Sequence, residues 1–191
     1  MIRKAFVARV AAVSVAVLAI ASPLSAAPDF HLTFPQEAEV TEFTSSWGAP
    51  RSGHSHKGND LMAPKHTEVY AAADGVVLWV RDRGSAGRYV AIDHGDGWET
   101  WYMHLNNDNP GTDDGAAPLE LGVAVEVGDR VEAGQVIGWV GDSGNAEGSS
   151  PHTHFELHYN GSPIDPYPYL IQAYQRALRK VDPASASFSP I

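Results

Sequence analysis

The hydrophobic positions of this chain fall in short runs. From about residue 30 to residue 159, segments rich in Val, Ile, Tyr and Trp are separated by Gly, Pro, Asp and Asn. This pattern predicts short strands joined by turns. The clearest predicted strands are Val69–Ala71, Gly75–Val80, Arg88–His94, Trp98–His104, Gln135–Val140 and Thr153–Tyr159. We therefore expect a mainly antiparallel all-β domain.

Helical periodicity occurs only near the carboxyl end. Leu170, Tyr174 and Leu178 are spaced four residues apart, and basic residues fill the turn that follows. This spacing predicts a short helix over Tyr169–Lys180. Residues 183–191 lack any periodic pattern and are predicted to be a flexible tail.

Residues 106–120 form a long polar interruption between predicted strands. Their Gly, Pro, Asn and Asp content predicts a long acidic loop that begins directly after His104. One interpretation makes this loop a wall of a groove beside His104, and the other makes it a solvated acidic segment. Calcium binding is disfavoured because the spacing of the acids does not fit an EF-hand loop.

The amino terminus has the three-part layout of a secretory signal. Basic residues precede an uncharged run over Val10–Ala21, which is followed by the small residues of Ser25–Ala27. We predict a signal peptide over residues 1–27. A retained membrane anchor is the alternative, but Pro23 interrupts a run that must reach about 20 apolar residues to span a bilayer.

Composition and charge restrict the number of domains, the partners and the metal ligands that the rest of the chain can have. At 191 residues with 43% hydrophobic content, the chain suits one domain, which we place at residues 28–182. Loss of the three basic residues in the signal would change the formal net charge from −10 to −13. This acidity disfavours nucleic acid and anionic lipid as partners. The absence of cysteine excludes disulfides and thiolate ligands, so any metal must be held by His and carboxylates.

Three segments stand out for their histidines, and they are His54–Asp60, Trp101–His104 and Pro151–Glu156. His152 and His154 are two residues apart on a predicted strand and therefore share one face. His56 and Asp60 are separated by four positions, with Gly58 between them allowing a tight backbone path. Neither pair is specific alone. Together they approach the three protein ligands that a catalytic zinc commonly has.

The order of motifs from about residue 47 to residue 170 resembles that of lysostaphin-type zinc metallopeptidases, which cut peptidoglycan peptides. No motif of the pattern is missing. The matching segments are His56–Asp60, Ala73–Val77, Tyr102–His104, Gly128–Gly138, His152–Glu156 and Asp165–Pro166.

The resemblance implies a role for each matching residue. His56, Asp60 and His154 are implied to bind one zinc per chain, and His104 and His152 to be a catalytic pair that does not bind the metal. It leaves open which of the two is the general base. The implied fold is the duplicated hybrid motif, of the barrel-sandwich type, shared with lipoyl and biotinyl carriers.

Nearby residues have more than one interpretation. Glu156 lies on the face of His154 and either supports a ligand, which we favour, or faces solvent. Arg51 either holds a substrate carboxylate or pairs with an acid. We expect His54 to be a surface or groove residue rather than a fourth ligand, and Trp101 to pack in the core.

The leading hypothesis is an exported zinc metallo-endopeptidase that hydrolyses peptide bonds of peptidoglycan in the periplasm or the extracellular wall. We expect a monomer without nucleic acid and without stable membrane association after signal cleavage. One alternative is an inactive relative that binds peptidoglycan or activates another hydrolase. Another is the zinc D-Ala-D-Ala carboxypeptidase class, whose His-to-Asp spacing is longer. The bond that is cut does not follow from the sequence.

Overall fold

The computed structural model describes residues 31–181. The predicted signal peptide and the predicted tail lie outside these residues. Within them the chain forms eleven strands and one α-helix. The strands are β1 (Pro50–Arg51), β2 (His54–Ser55), β3 (Asn59–Met62), β4 (Glu68–Tyr70), β5 (Gly75–Asp82), β6 (Arg88–Gly95), β7 (Trp98–Leu105), β8 (Arg130–Val131), β9 (Val136–Trp139), β10 (His152–Tyr159) and β11 (Ser162–Ile164), and the helix is α1 (Tyr167–Val181).

One large antiparallel sheet dominates the fold. Its strands follow the order β11-β10-β7-β6-β5-β8, and β3 pairs with β10 beside β11. Two smaller antiparallel pairs, β1 with β2 and β4 with β9, complete the strands of the described chain. The predicted class, mainly antiparallel all-β with a short carboxyl-terminal helix, is confirmed.

The six predicted strands are present as β4, β5, β6, β7, β9 and β10. The other five strands have only two to four residues, which is too short for alternation to be recognised in the sequence. Asn160 and Gly161 join β10 to β11 as a tight hairpin, with φ angles of 48° and 73°.

Alternation along β7 sorts its side chains between the two faces of the sheet. Trp98, Thr100 and Tyr102 are buried, whereas Glu99 and Trp101 are only partly buried. Our prediction of a core position for Trp101 is therefore wrong. Its ring lies on the opposite face of the sheet, because every second residue of this strand is buried, counting from Trp98.

Arg88 anchors the loop that follows β7. This residue is 6% exposed, and its guanidinium donates hydrogen bonds to the backbone carbonyls of Asn106, Ala117 and Pro118. Its Nε also contacts the Asp82 carboxylate at 2.8 Å. One buried cation therefore holds both ends of the loop against β6.

Lys65 holds the acidic part of the same loop. Its Nζ lies 2.6 Å from Asp108 Oδ2, 2.5 Å from Asp113 Oδ1 and 2.8 Å from Asp142 Oδ1. Burial acts to lower the pKa of Lys65, but hydrogen bonds to these carboxylates raise it above its ordinary value. Asp108 is fully buried, so the interpretation of a solvated acidic loop is wrong at this residue.

We expect replacement of Arg88 by Met to lower the free energy of unfolding by about 2–4 kcal/mol, because three backbone carbonyls lose a charged donor. Urea unfolding measures this change. Arg130→Met is the matched control, since Arg130 is exposed on β8 and should change stability by less than about 0.5 kcal/mol. Equal stabilities of the two variants would contradict the anchoring role.

Candidate metal centre

Three donor atoms from separate parts of the chain converge. His56 Nε2 lies 2.9 Å from His154 Nδ1, and each of these nitrogens lies 3.0 Å from Asp60 Oδ1. A tetrahedral zinc with bonds of about 2.0–2.1 Å requires ligand atoms roughly 3.3 Å apart. The observed triangle is therefore close to one face of such a site and needs only a small expansion to fit the ion.

Strand pairing places these ligands together. Asp60 in β3 lies opposite His154 in β10, and His56 lies just before β3. A Cβ on Gly58 would approach Phe155 O to 2.3 Å and His154 Nε2 to 2.9 Å. Only glycine therefore lets the chain between His56 and Asp60 lie this close to β10.

Hydrogen bonds on the outer nitrogens set the tautomers of both imidazoles. His56 Nδ1 lies 2.9 Å from Ser46 O and donates to that carbonyl, which leaves the Nε2 lone pair free. His154 Nε2 lies 3.0 Å from Glu156 Oε1, which leaves Nδ1 free. Both lone pairs and one carboxylate oxygen thus point into the triangle, and this donor set suits zinc.

Glu156 is buried behind His154 and does not face solvent. Its second oxygen lies 2.6 Å from His158 Nε2, and the His158 ring stacks on Trp101 with centroids 4.6 Å apart. Burial acts to raise the pKa of Glu156, but hydrogen bonds from His154 and His158 lower it to about 2. The carboxylate is therefore ionised and holds the His154 ring in one orientation.

Arg51 pairs with an acid. Its Nη2 lies 2.6 Å from Asp60 Oδ2, while Asp60 Oδ1 faces the two histidines. Burial acts to raise the pKa of Asp60, but hydrogen bonds from His154 and His56 hold it well below its usual range. Of the two interpretations of Arg51, pairing with an acid is the one present in this structure.

His104 and His152 lie side by side next to the triangle but outside it. Their ring centroids are 5.1 Å apart, and His152 Nε2 is 3.9 Å from Asp60 Oδ1. Each Nδ1 donates to a backbone carbonyl at 2.8 Å, His104 to Ser143 and His152 to Ser150. Burial lowers the pKa of His104 to about 4. His104 is therefore neutral at neutral pH, with its Nε2 as an acceptor.

A backbone irregularity brings His104 to this side of the sheet. By alternation it would share the buried face of Tyr102, but its φ is 61° and the pairing of β6 with β7 shifts between Arg88–Leu105 and Val90–Tyr102. Two residues of β7 therefore oppose one residue of β6. Such a bulge redirects a side chain, and bulges are common beside active sites.

The remaining candidates do not join the triangle. His54 is exposed, and its Nδ1 lies 3.1 Å from Ser52 O. Sequence reasoning missed the carbonyls of Ser46, Ser143 and Ser150, because a backbone acceptor leaves no signal in side-chain identity. A second group of acids, Asp108, Asp113 and Glu147, has oxygens within 4.8 Å of one another, but the Lys65 ammonium already lies between two of its carboxylates.

The antiparallel sheet brings together two imidazoles, a carboxylate and two further histidines, and this combination defines a metal-dependent hydrolase site. Comparison with known families agrees. The model of peptidase family M23 matches residues 54–166, which include all five of these residues, and the chain belongs to that family.

Individual relatives cover part of the chain. It is 36% identical over 110 residues to the peptidoglycan DD-endopeptidase ShyA of Vibrio cholerae, a match covering 58% of this chain and 22% of ShyA. It is 36% identical over 111 residues to the DD-carboxypeptidase/endopeptidase Mpg of Neisseria meningitidis, covering 58% of this chain and 22% of Mpg. The chain thus spans about a fifth of the length of these curated relatives.

Solved structures share the fold. The catalytic domain of lysostaphin from Staphylococcus simulans is similar with a TM-score of 0.55 and 28% identity, covering 69% of this chain and 92% of that domain. A zinc-containing peptidase from Vibrio cholerae is similar with a TM-score of 0.55 and 27% identity, covering 71% of this chain and 39% of that protein.

We expect the purified protein to bind one zinc per chain, and His154→Ala to lose at least about 100-fold in affinity because one of three ligands is removed. A competitive chelator titration measures this affinity. His54→Ala is the matched control, since His54 lies outside the triangle, and it should bind zinc like the unmodified protein. Equal losses in both variants would contradict the assigned ligands.

The metal-free protein should be most stable near pH 6.5. Below this pH stability falls, because burial lowers the pKa of His104 from 6.5 to about 4 and the unfolded chain then gains a proton that the folded chain does not. Glu156 has a pKa lowered from 4.5 to about 2, so its contribution is present above 4.5 and is lost as pH falls through 2. Burial acts to lower the pKa of His154, but hydrogen bonds to Asp60 and Glu156 raise it from 6.5 to about 8. Its contribution is therefore present below 6.5 and is lost as pH rises through 8.

Thermal unfolding of the metal-free protein, followed from below the lowered pKa of Glu156 to above the raised pKa of His154, measures the effect. His154→Gln should remove the loss of stability on the alkaline side, because glutamine does not titrate. Zinc should bind more tightly as pH rises, since the metal needs the neutral imidazole. An alkaline loss of the same size in His154→Gln would assign the titration to another group.

Proposed function

We propose that this protein is an exported zinc endopeptidase that hydrolyses peptide bonds in peptidoglycan. The observation that carries the proposal is the triangle of His56 Nε2, Asp60 Oδ1 and His154 Nδ1, with both lone pairs directed inward by partners on the outer nitrogens. Family membership and the peptidoglycan DD-endopeptidase and DD-carboxypeptidase/endopeptidase activities of ShyA and Mpg support the substrate class.

Three residues would bind the metal, and two others orient these ligands. His56, Asp60 and His154 would hold zinc, while Glu156 and Arg51 keep two of these ligands oriented. Zinc held by these residues would supply a nucleophilic hydroxide at neutral pH and would polarise the scissile carbonyl. With three protein ligands, one position stays open for substrate chemistry.

His104 and His152 are the candidates for general acid–base catalysis. Because each Nδ1 hydrogen is donated to a carbonyl, each ring presents Nε2 as an acceptor toward the site. One ring takes the proton of the attacking water at Nε2, and that same nitrogen is then a donor to the leaving amine.

The location of the substrate indicates where in the cell the protein acts. Peptidoglycan lies outside the cytoplasmic membrane, and the predicted signal peptide over residues 1–27 supplies export to the periplasm or the wall. No helix of the described residues 31–181 is long and apolar enough to span a membrane. We propose that the protein acts on peptidoglycan peptides as a monomer.

A digest of purified cross-linked muropeptides, read by mass spectrometry, tests the proposal. The zinc-loaded protein should convert cross-linked dimers to monomers. His104→Ala should keep its zinc and lose about 10²- to 10⁴-fold in kcat, because a general acid–base group is removed. His54→Ala, which removes an exposed imidazole, should cut at the normal rate.

Binding without cleavage by the zinc-loaded protein would overturn the proposal and favour an inactive, peptidoglycan-binding relative. Loss of only a terminal residue from uncross-linked peptides would instead indicate a carboxypeptidase. The same digest therefore separates all three functions, and the masses of its products identify the bond.

A further inference from the structure

A cavity of about 630 Å³ lies beside the metal centre and has no role in the chemistry described above. It borders Asp60 on the edge of β3 that faces away from β10. On that edge Glu42 and Met62 exchange backbone hydrogen bonds of 2.9 Å in both directions. The chain around Glu42 therefore forms one wall of the cavity, and helix α1 contributes another through Ile171 and Tyr174.

The cavity opens on the face of the sheet that carries the ligands. Asp60 and Met62 are two residues apart on β3 and share a face, and both line the cavity. Asp60 Oδ1 is a donor atom of the triangle. A peptide whose scissile bond lies at the triangle therefore passes beside this cavity, and a neighbouring side chain of that peptide can enter it.

The lining combines apolar walls with negative charge. Phe43, Met62, Ile171 and Tyr174 supply apolar surface, and the rings of Phe43 and Tyr174 pack edge to face with centroids 5.3 Å apart. None of the described lining residues is a lysine, arginine or histidine.

Glu42 is the acid of this lining whose charge is not already paired. The Asp60 carboxylate is engaged by Arg51 and by the two histidine ligands. Glu42 is exposed and takes part in no ion pair with any residue of the described chain. A cationic ligand group would therefore meet a carboxylate without having to displace another cation.

We propose that this cavity is a specificity subsite for a substrate side chain with an aliphatic stem and a terminal primary amine. The stem packs on Met62 and Ile171, and the ammonium pairs with Glu42. A side chain ending in a carboxylate is rejected by the like charge of Glu42. The subsite rests on the proposed peptidase function and assigns part of its substrate preference.

The test uses two synthetic peptidoglycan stem peptides that are identical except that one contains lysine and the other norleucine, its uncharged counterpart. The zinc-loaded protein is compared with Glu42→Gln and with the control Glu39→Gln, which removes an exposed acid of the same segment outside the cavity. The dissociation constant is measured for each peptide, and kcat/KM replaces it where a peptide is cut.

The unmodified protein and Glu39→Gln should prefer lysine over norleucine by about fivefold, which is the size expected of a partly exposed ion pair. Glu42→Gln should bring this ratio to about one while leaving norleucine binding unchanged. Ile171→Trp, which fills the cavity, should weaken both peptides, and its circular dichroism spectrum checks its fold.

An equal lysine preference in Glu42→Gln and the unmodified protein would overturn the subsite. So would undiminished binding of both peptides by a folded Ile171→Trp. These results are independent of catalysis. If no peptide is cut but the lysine ratio still depends on Glu42, the proposed peptidase function fails and the subsite stands.

Discussion

The pairing register of β3 with β10 is the constraint on which the metal centre depends. It sets Asp60 opposite His154, and alternation then places both side chains on one face of the sheet. A slip of one residue would send Asp60 to the other face and separate the ligands. Gly58 protects this register, because any side chain there would collide with the backbone of β10.

This register brings together electron-rich ligand atoms that repel one another unless a cation lies between them. Two imidazole lone pairs and a carboxylate oxygen lie about 3 Å apart in a largely buried site. In the metal-free protein a proton resolves part of this conflict, which is why the pKa of His154 is raised to about 8. A bound metal ion would resolve it fully, and local conflicts of this kind are typical of functional sites.

Much of the fold and of the site follows from local pattern. The longer strands, the Asn160–Gly161 hairpin, the shared face of His152 and His154 and the need for Gly58 are all readable from spacing and turn chemistry. Other features depend on contacts between distant segments. β3 is too short to show alternation, and the Lys65 and Arg88 anchors join residues far apart in sequence.

His104 shows most clearly why the site could not be derived from alternation alone. Strand parity assigns it to the buried face with Tyr102, whereas the bulge and the φ of 61° bring it beside His152. The family resemblance named His104 as a catalytic residue without explaining its position. The position results from the local backbone geometry of β7, which is held by the Ser143 carbonyl.

The central claim is that the metal is bound by the triangle and not by the neighbouring histidine pair. Crystals of the zinc-loaded protein, measured on both sides of the zinc absorption edge, test this directly. We expect one anomalous peak in bonding contact with His56 Nε2, Asp60 Oδ1 and His154 Nδ1, and out of bonding contact with His104 and His152. A peak bonded to His104 or His152 in place of any member of the triangle would contradict it.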